Sequence, residues 1–238
     1  MPVIEVGQPG LLLDAVYTDV LAPAFPAEER VTLDSFRTGV AEAGISVIAV
    51  VGEDGAPMAG AVGKWSPPTG VALLAYLAVR QDARSRGLGG TLLSQAMRLW
   101  QQRWQPCAVL AELEHPAAHT ASPAHGDPAA RLRFYGRHGA RGLDLPYFQP
   151  ALRPESSRVY GLILSVLALS DECRGSAPDT VAGEPIRRFL VDYLSQTEGK
   201  VSEDSACAAL FHALARPAGV PLLVLDDPST LPCSKPCS

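Results

Sequence analysis

Apolar residues recur along the chain at two periods, and the alternation between the periods sets out the elements. Leu88, Leu92, Ala96, Trp100 and Trp104 stand four apart, with Leu93 and Met97 widening the stripe. That spacing predicts a helix laying one face on a sheet. Just upstream, "GVALLAYLAV" is apolar on both alternating faces, which predicts a strand in the middle of a covered sheet. "ISVIAVVG" and "GAPMAGAVGKW" read as two earlier strands, joined across 52–55, where Asp-Gly is a hairpin signal. Two helices precede them, one over 11–21 and one over "AEERVTLDSFRTGVAEAG", the second closed by Gly44 as its C-cap glycine.

Past the long helix lies Pro106, then the strand "AVLAELE", with Glu112 and Glu114 on one face and Val109, Ala111 and Leu113 on the other. "HPAAHTASPAHG" is loop. Asp127 and Pro128 form an N-cap and first-turn pair for a short helix that Gly139 closes. "ARGLDLPYFQPAL" and "RVYGLILSVLAL" read as two more strands. From about residue 170 the character changes. "RGSAPDTVAGEP" is linker-like, "IRRFLVDYLSQ" and "EDSACAALFHALA" are helical, and "VPLLVLDD" is a short strand. There is no internal repeat. The expectation is an α+β (mixed α/β) fold, a domain over 1–168 followed by a helical C-terminal extension over 169–238. Phe189, Leu190, Tyr193 and Leu194 form an apolar stripe that either covers the domain or makes a homodimer interface.

Composition narrows the function classes. At 238 residues and 47% hydrophobic, the chain fills a real core. The net charge of −5 argues against nucleic acid as the main partner and leaves room for a cationic or neutral one. No segment approaches the length of about 18 apolar residues that a membrane span needs, and the N-terminus lacks a secretory pattern, so a cytoplasmic protein is expected. The five cysteines are an odd, scattered set, which suits a reducing compartment. Cys233 and Cys237 in "LPCSKPCS" have metal-like spacing but no second ligand pair nearby, and no metal is expected.

The candidate chemistry begins at "DARSRGLGGTLL". A helix start exposes unpaired backbone N–H groups and partial positive charge, so it attracts anions. Gly87, Gly89 and Gly90 remove the β-carbons that keep an anion away, Arg84 and Arg86 add charge, and Thr91 adds a hydroxyl. A nucleotide P-loop needs Gly-Lys before its Ser or Thr, and Gly90-Thr91 lacks the lysine. A dinucleotide fingerprint needs a third glycine where Leu92 stands. The pattern R-x-x-G-x-G after a strand fits without mismatch as Arg84-Ser85-Arg86-Gly87-Leu88-Gly89.

This pattern, in its strand-loop-helix setting, resembles the signature of the GNAT family, the Gcn5-related N-acetyltransferases. The resemblance implies the acyl-CoA N-acyltransferase fold, a central mixed sheet flanked by helices, with the loop on the pyrophosphate of acetyl-CoA. It also implies that the backbone of Leu77, Ala78 and Val79 holds the pantetheine arm. "RLRFYGRHGA" looks like the family's later motif, which makes Tyr135 the acid that protonates the departing thiolate. The alternative for Phe134 and Tyr135 is plain helix packing. Relatives often open this helix with asparagine, whereas Asp127-Pro128 opens it here. The resemblance covers roughly 1–168, most firmly 71–139.

The attacking amine must lose a proton. Glu114, nearer its strand's end, is the first choice of base and Glu112 acts through water; the other reading is two solvated glutamates at a sheet end. His115, His119 and His125 read as exposed loop residues, with relay or metal roles as the alternative. The function expected is acetyl transfer from acetyl-CoA to a primary amine of a small molecule or peptide in a ternary complex. Two rivals stand beside it: a non-catalytic CoA-binding regulatory module on the same fold, and a nucleotide-binding domain that does not use CoA.

Overall fold

The hydrophobic pattern is realised in a computed structural model that describes residues 1–122 and 126–236. The chain divides into two units, one built from 1–66 and 72–105, the other from 67–71, 106–122 and 127 onward. The first holds β1 (Val3–Glu5), α1 (Leu11–Ala15), α2 (Leu33–Ala41), β2 (Ile45–Val51), β3 (Pro57–Ser66), β4 (Val71–Val79) and α3 (Leu88–Trp104). Its strands lie in the order β1-β2-β3-β4, with β1/β2 and β2/β3 antiparallel. The predicted hairpin forms: the Gly52 amide donates to the Ala56 carbonyl at 2.8 Å, and Gly55 takes φ 81°, which a glycine adopts freely.

The register fixes which side chains share a face. Val47 pairs with Val62 and Ala49 with Gly60, so this face of the sheet carries small and β-branched groups. Leu13, Val16, Tyr17, Leu21 and Phe36 pack on it and form one buried cluster with it. Gly63, on the opposite face, leaves the space that the Trp100 indole of α3 fills. Trp65 of β3 stacks on Trp104 at 5.5 Å, and Trp104 on Trp100 at 5.8 Å. The helix is therefore anchored by its far end, and its N-terminus is left facing outward.

The two N-terminal helices differ from the expected pair. After α1 the backbone widens to a π-helix over Val16–Leu21, where the Ala22 amide reaches Tyr17 five residues back. This wide turn buries Val16, Tyr17, Val20 and Leu21 together. The second helix starts only at Leu33, because Thr32 caps it by accepting from the Ser35 amide at 3.2 Å. Its C-terminal turn is closed by Ala43, with φ 58°, and not by Gly44.

The second unit holds β5 (Ala108–Glu114), α4 (Pro128–Arg137), β6 (Arg141–Leu143), β7 (Leu162–Leu169), β8 (Thr180–Val181), α5 (Gly183–Glu198), α6 (Ser205–Leu214) and β9 (Val220–Leu223). Its strand order is β5-β7-β6-β9-β8, with β5/β7, β6/β7, β6/β9 and β8/β9 antiparallel. "ARGLDLPYFQPAL" is a strand only over β6; Pro146 and Pro150 bracket the rest, and proline donates no ladder hydrogen bond. The linker-like stretch contains β8 and the first turn of α5. Gly183 lies against the Leu214 carbonyl, where any β-carbon would collide. Phe189, Leu190, Tyr193 and Leu194 are buried within the chain itself, so they cover core and present no open stripe. Helices on the sheets give the mixed α/β class that was expected. Among the described residues no helix is long and apolar enough to cross a membrane.

Candidate functional site

In the first unit, β4 ends at Val79 and a short 3-10 turn over Gln81–Ala83 leads into the glycine loop. Ser85 takes φ 64° and Gly87 φ 75°, so two residues in left-handed conformation turn the chain into α3. Such conformations strain a side-chain-bearing residue and cost Gly87 nothing. No β-carbon added at Gly87 would meet anything within 4 Å. The Thr91 amide closes the first helical bond on the Gly87 carbonyl at 3.2 Å. Among the described residues, none of the backbone amides of residues 85–90 donates to a protein acceptor.

Unpaired amides at a helix start attract anions, and Gly87, Gly89 and Gly90 put no β-carbon in this turn at their positions. The Arg84 Nε reaches the Val79 carbonyl at 3.4 Å and an Arg86 terminal nitrogen the Asp82 carbonyl at 3.3 Å, both long contacts on exposed side chains. Arg80 is committed to Asp82 at 2.6 Å and rests on the Pro57 carbonyl. A cleft of about 570 Å³ runs beside the loop, lined by Asp19, Val20 and Pro23 from the π-helical segment and by Val79, Gln81 and Arg84. These residues fit a diphosphate group: donors, cations and open space coincide over one turn. Leu77 and Val79 are half-buried and Ala78 buried at the end of β4.

The second unit gathers the candidate carboxylates, and neither is a solvated end group. The Tyr147 hydroxyl and the Gln149 side-chain amide, the latter at 2.8 Å, donate to the two oxygens of Glu112. Tyr147 is fully buried, and burial first, then the Glu112 charge, pushes its phenol far above the ordinary value. It therefore stays a donor. Glu114 sits two residues on and takes a charged partner instead: Arg131 of α4 donates to its Oε2, and His119 Nδ1 lies 3.7 Å from its Oε1. Its side chain is 13% exposed, which makes this pair count for more than a surface ion pair.

Arg131 and Tyr135 stand one turn apart on α4, so the Glu114–Arg131 pair pins the helix that carries Tyr135. Asp127 caps that helix by accepting from the Ala129 amide at 2.9 Å, and Gly139 follows it with φ 84°, as the sequence implied. Tyr135 is 6% exposed, edge-on to Phe134 at 5.1 Å. Its hydroxyl makes no hydrogen bond among the described residues. Burial raises its pKa well above the ordinary phenol value, against a smaller lowering by Arg131.

The histidines depart from the exposed-loop expectation. His115 is 4% exposed; its Nδ1 accepts from the Ala117 amide at 3.0 Å and its Nε2 donates to the Pro228 carbonyl at 3.1 Å. Both nitrogens are used, so it serves as a structural link. His119 Nε2 bonds the Tyr160 carbonyl at 2.9 Å. His125 lies outside the described residues, as does Cys237. Among the described residues no three His, Cys, Asp or Glu side chains gather as a metal site. Burial, then Cys173, pushes the Cys107 thiol up to about 12, which leaves it inert.

Sequence reasoning missed Tyr147, Gln149 and Arg131. A signal was present for the first two: "PYFQP" sets polar and aromatic groups between two prolines, which is loop chemistry carrying donors.

The strand, glycine turn and helix of the first unit and the carboxylate-bearing strand of the second are parts of a mixed α/β fold. The model of the acetyltransferase (GNAT) family matches residues 13–139, and the chain belongs to that family. No curated protein matches the sequence. Among solved structures, one assigned to GNAT-family acetyltransferases from Bacteroides thetaiotaomicron is 19% identical, covering 82% of this chain and 99% of its own at a TM-score of 0.54. The ribosomal-protein-S18-alanine N-acetyltransferase of Escherichia coli is 18% identical over 72% of this chain and 97% of its own, TM-score 0.47. A protein assigned to N-acetyltransferases from Lactobacillus plantarum is 16% identical over 70% and 98%, also at 0.47. The first of these shares the fold. The family match ends before Tyr147, so the partners of Glu112 belong to the part of the chain beyond it.

Proposed function

We propose that the chain transfers an acetyl group from acetyl-CoA to a primary amine of a small molecule or peptide. One observation carries the reading: the amides of residues 85–90 are unpaired in a turn that also holds Arg84, Arg86 and Gly87. Any helix start leaves such donors unpaired; here three glycines and two arginines gather at the same turn, which suits an anion. These amides, with Arg84, Arg86 and Thr91, hold the diphosphate, and the backbone of Leu77, Ala78 and Val79 orients the pantetheine arm. Acetyl-CoA supplies the thioester carbonyl and a thiolate leaving group.

Glu112 accepts a proton from the acceptor's ammonium, directly or through water, so that the nitrogen lone pair attacks as the C–S bond breaks. Glu112 accepts from a phenol and a side-chain amide, whereas Glu114 is engaged in an ion pair with Arg131, so the proton-accepting role is assigned to Glu112. Glu114 is assigned to holding α4. Tyr135 donates its hydroxyl to the departing sulfur and passes the proton as the thiolate forms, the role that the resemblance of "RLRFYGRHGA" implies. The net charge of −5 favours a cationic acceptor. The thiols of Cys107, Cys173, Cys207 and Cys233 are free, the state that a reducing cytoplasm keeps.

The test is thiol release from acetyl-CoA with a panel of polyamines, amino acids, aminoglycosides and peptides bearing free α-amines. Release with at least one class is expected. Binding without release from any of them, and without effect of Glu112→Gln, identifies a CoA-binding regulatory module instead. Acetyl-CoA at 100 times its dissociation constant should add about 2.7 kcal/mol, raising Tm by roughly 5–10 °C. Equal stabilisation by ATP, which lacks the pantetheine arm, rejects the CoA assignment.

A further inference from the structure

The segment from 147 to 161 carries both donors to Glu112, and the structure shows what holds that segment. The Ser234 hydroxyl donates to the Tyr147 carbonyl and accepts from the Gly161 amide at 3.0 Å, so one side chain from the end of the chain ties the segment's two ends together. Six residues earlier in the same tail, the Pro228 carbonyl takes the His115 Nε2 proton at the end of β5. Leu231 and Leu225 lie against Gly142 of β6, where a β-carbon would crowd both. Midway along, Glu198 of α5 accepts from the Ala151 amide at 3.1 Å and from Arg158 at 2.6–2.8 Å. Arg158 in turn lies over the Phe148 ring at 4.5 Å.

This frame accepts a local penalty. Gln149 is 6% exposed and bridges to Val159 through its backbone, yet its side-chain Oε1 is buried with no partner. A buried amide oxygen is normally paired. Turning the amide over would put oxygen against the Glu112 carboxylate, so the orphaned acceptor is the consequence of keeping Nε2 on that carboxylate.

We infer that the C-terminal tail is a working part of the acceptor-side site: Ser234 is a positioning residue that fixes Tyr147, and Tyr147 with Gln149 fixes the orientation and charge state of Glu112. The inference rests on the reading of Glu112 as the proton acceptor. It assigns a role to residues well beyond the family match at 13–139. The charged and titratable groups around the pair include Glu114 on the same strand face, Arg131 and His119 beside Glu114, and Tyr193 of α5, which acts on Tyr147 through its charge.

The test is a carboxyl carbon-13 titration of the full-length protein, Glu112 being assigned by its loss in Glu112→Gln. Removing a donor from a carboxylate raises its midpoint. Tyr147→Phe keeps the ring and removes the hydroxyl, and should move the Glu112 midpoint upward; Ser234→Ala should move it the same way by less, and Ser234→Thr should restore it. A thermal melt checks folding of each. If Tyr147→Phe does not fold, Gln149→Leu is read through the same signal. An unchanged Glu112 midpoint in Ser234→Ala, with the phenol or amide variant shifted, removes the tail from the site; an unchanged midpoint in all variants overturns the inference entirely. Failure of the functional reading shows elsewhere, as equal thiol release by wild type and Glu112→Gln, and leaves these shifts intact.

Discussion

The glycine loop of the first unit and the carboxylate cluster of the second are opposite solutions to presenting polar groups. The loop offers donors with nothing attached: amides over residues 85–90 unpaired and Gly87 open on its outer side. The cluster offers acceptors already satisfied, with Glu112 held by a phenol and an amide and Glu114 held by a guanidinium. An anion site made of backbone is ready before its ligand arrives, because the helix fixes the amides. A carboxylate that must take a proton needs its direction fixed by neighbours, and those neighbours set how readily it does so. The two carboxylates differ in the same sense. On the proposed reading, the carboxylate held by a phenol and an amide takes the proton and the one paired with a guanidinium serves as a link.

The largest expected effect separates these carboxylates. Glu112→Gln should lower acetyl transfer by roughly 100-fold or more, the usual contribution of a general base, with acetyl-CoA affinity unchanged. Should Glu114→Gln instead abolish transfer while Glu112→Gln is silent, the roles are reversed. Next comes the loop: Gly89→Glu sets a negative charge at the helix start and should weaken acetyl-CoA about 100-fold by calorimetry. An unaltered affinity would move the diphosphate elsewhere. Tyr135→Phe should reduce kcat about tenfold with little change in KM for acetyl-CoA.

Arg131→Ala leaves Glu114 without its cation and should cost about 1–3 kcal/mol of stability, read by denaturant unfolding. The smallest effect concerns pH. The Tyr135 and Tyr147 phenols have raised pKa values in the folded state, so the stability they contribute is complete below the unfolded value near 10 and is lost as pH rises through the folded values. Tyr135→Phe should therefore flatten the fall in stability above about pH 10, and an unchanged slope would place the phenol in solvent.

What the sequence disclosed follows the same division. Anion binding by backbone is local chemistry, written within a few residues between Arg84 and Thr91, and the strand before and helix after it follow from period alone. The short helix between Asp127 and Gly139 was legible for the same reason, since both its ends carry their own stop signals. The partners of Glu112 lie 35 and 37 residues away, and Ser234 lies 87 residues from Tyr147. No periodicity encodes such a meeting. The break before Leu33 and the closure at Ala43 were hidden in another way: Thr32 offers a cap, but an apolar stripe on both sides of it reads as one helix. His115 looked exposed because its neighbours are loop residues, and only the returning tail buries it.

The central claim is that bare amides between residues 84 and 91 hold the diphosphate of the acyl donor. A crystal structure with acetyl-CoA tests it most directly. The account predicts phosphate oxygens about 3 Å from the backbone nitrogens of the Arg86–Gly90 turn, with the guanidinium of Arg84 or Arg86 alongside. Phosphates bound elsewhere on the chain, with this turn unchanged, would contradict it.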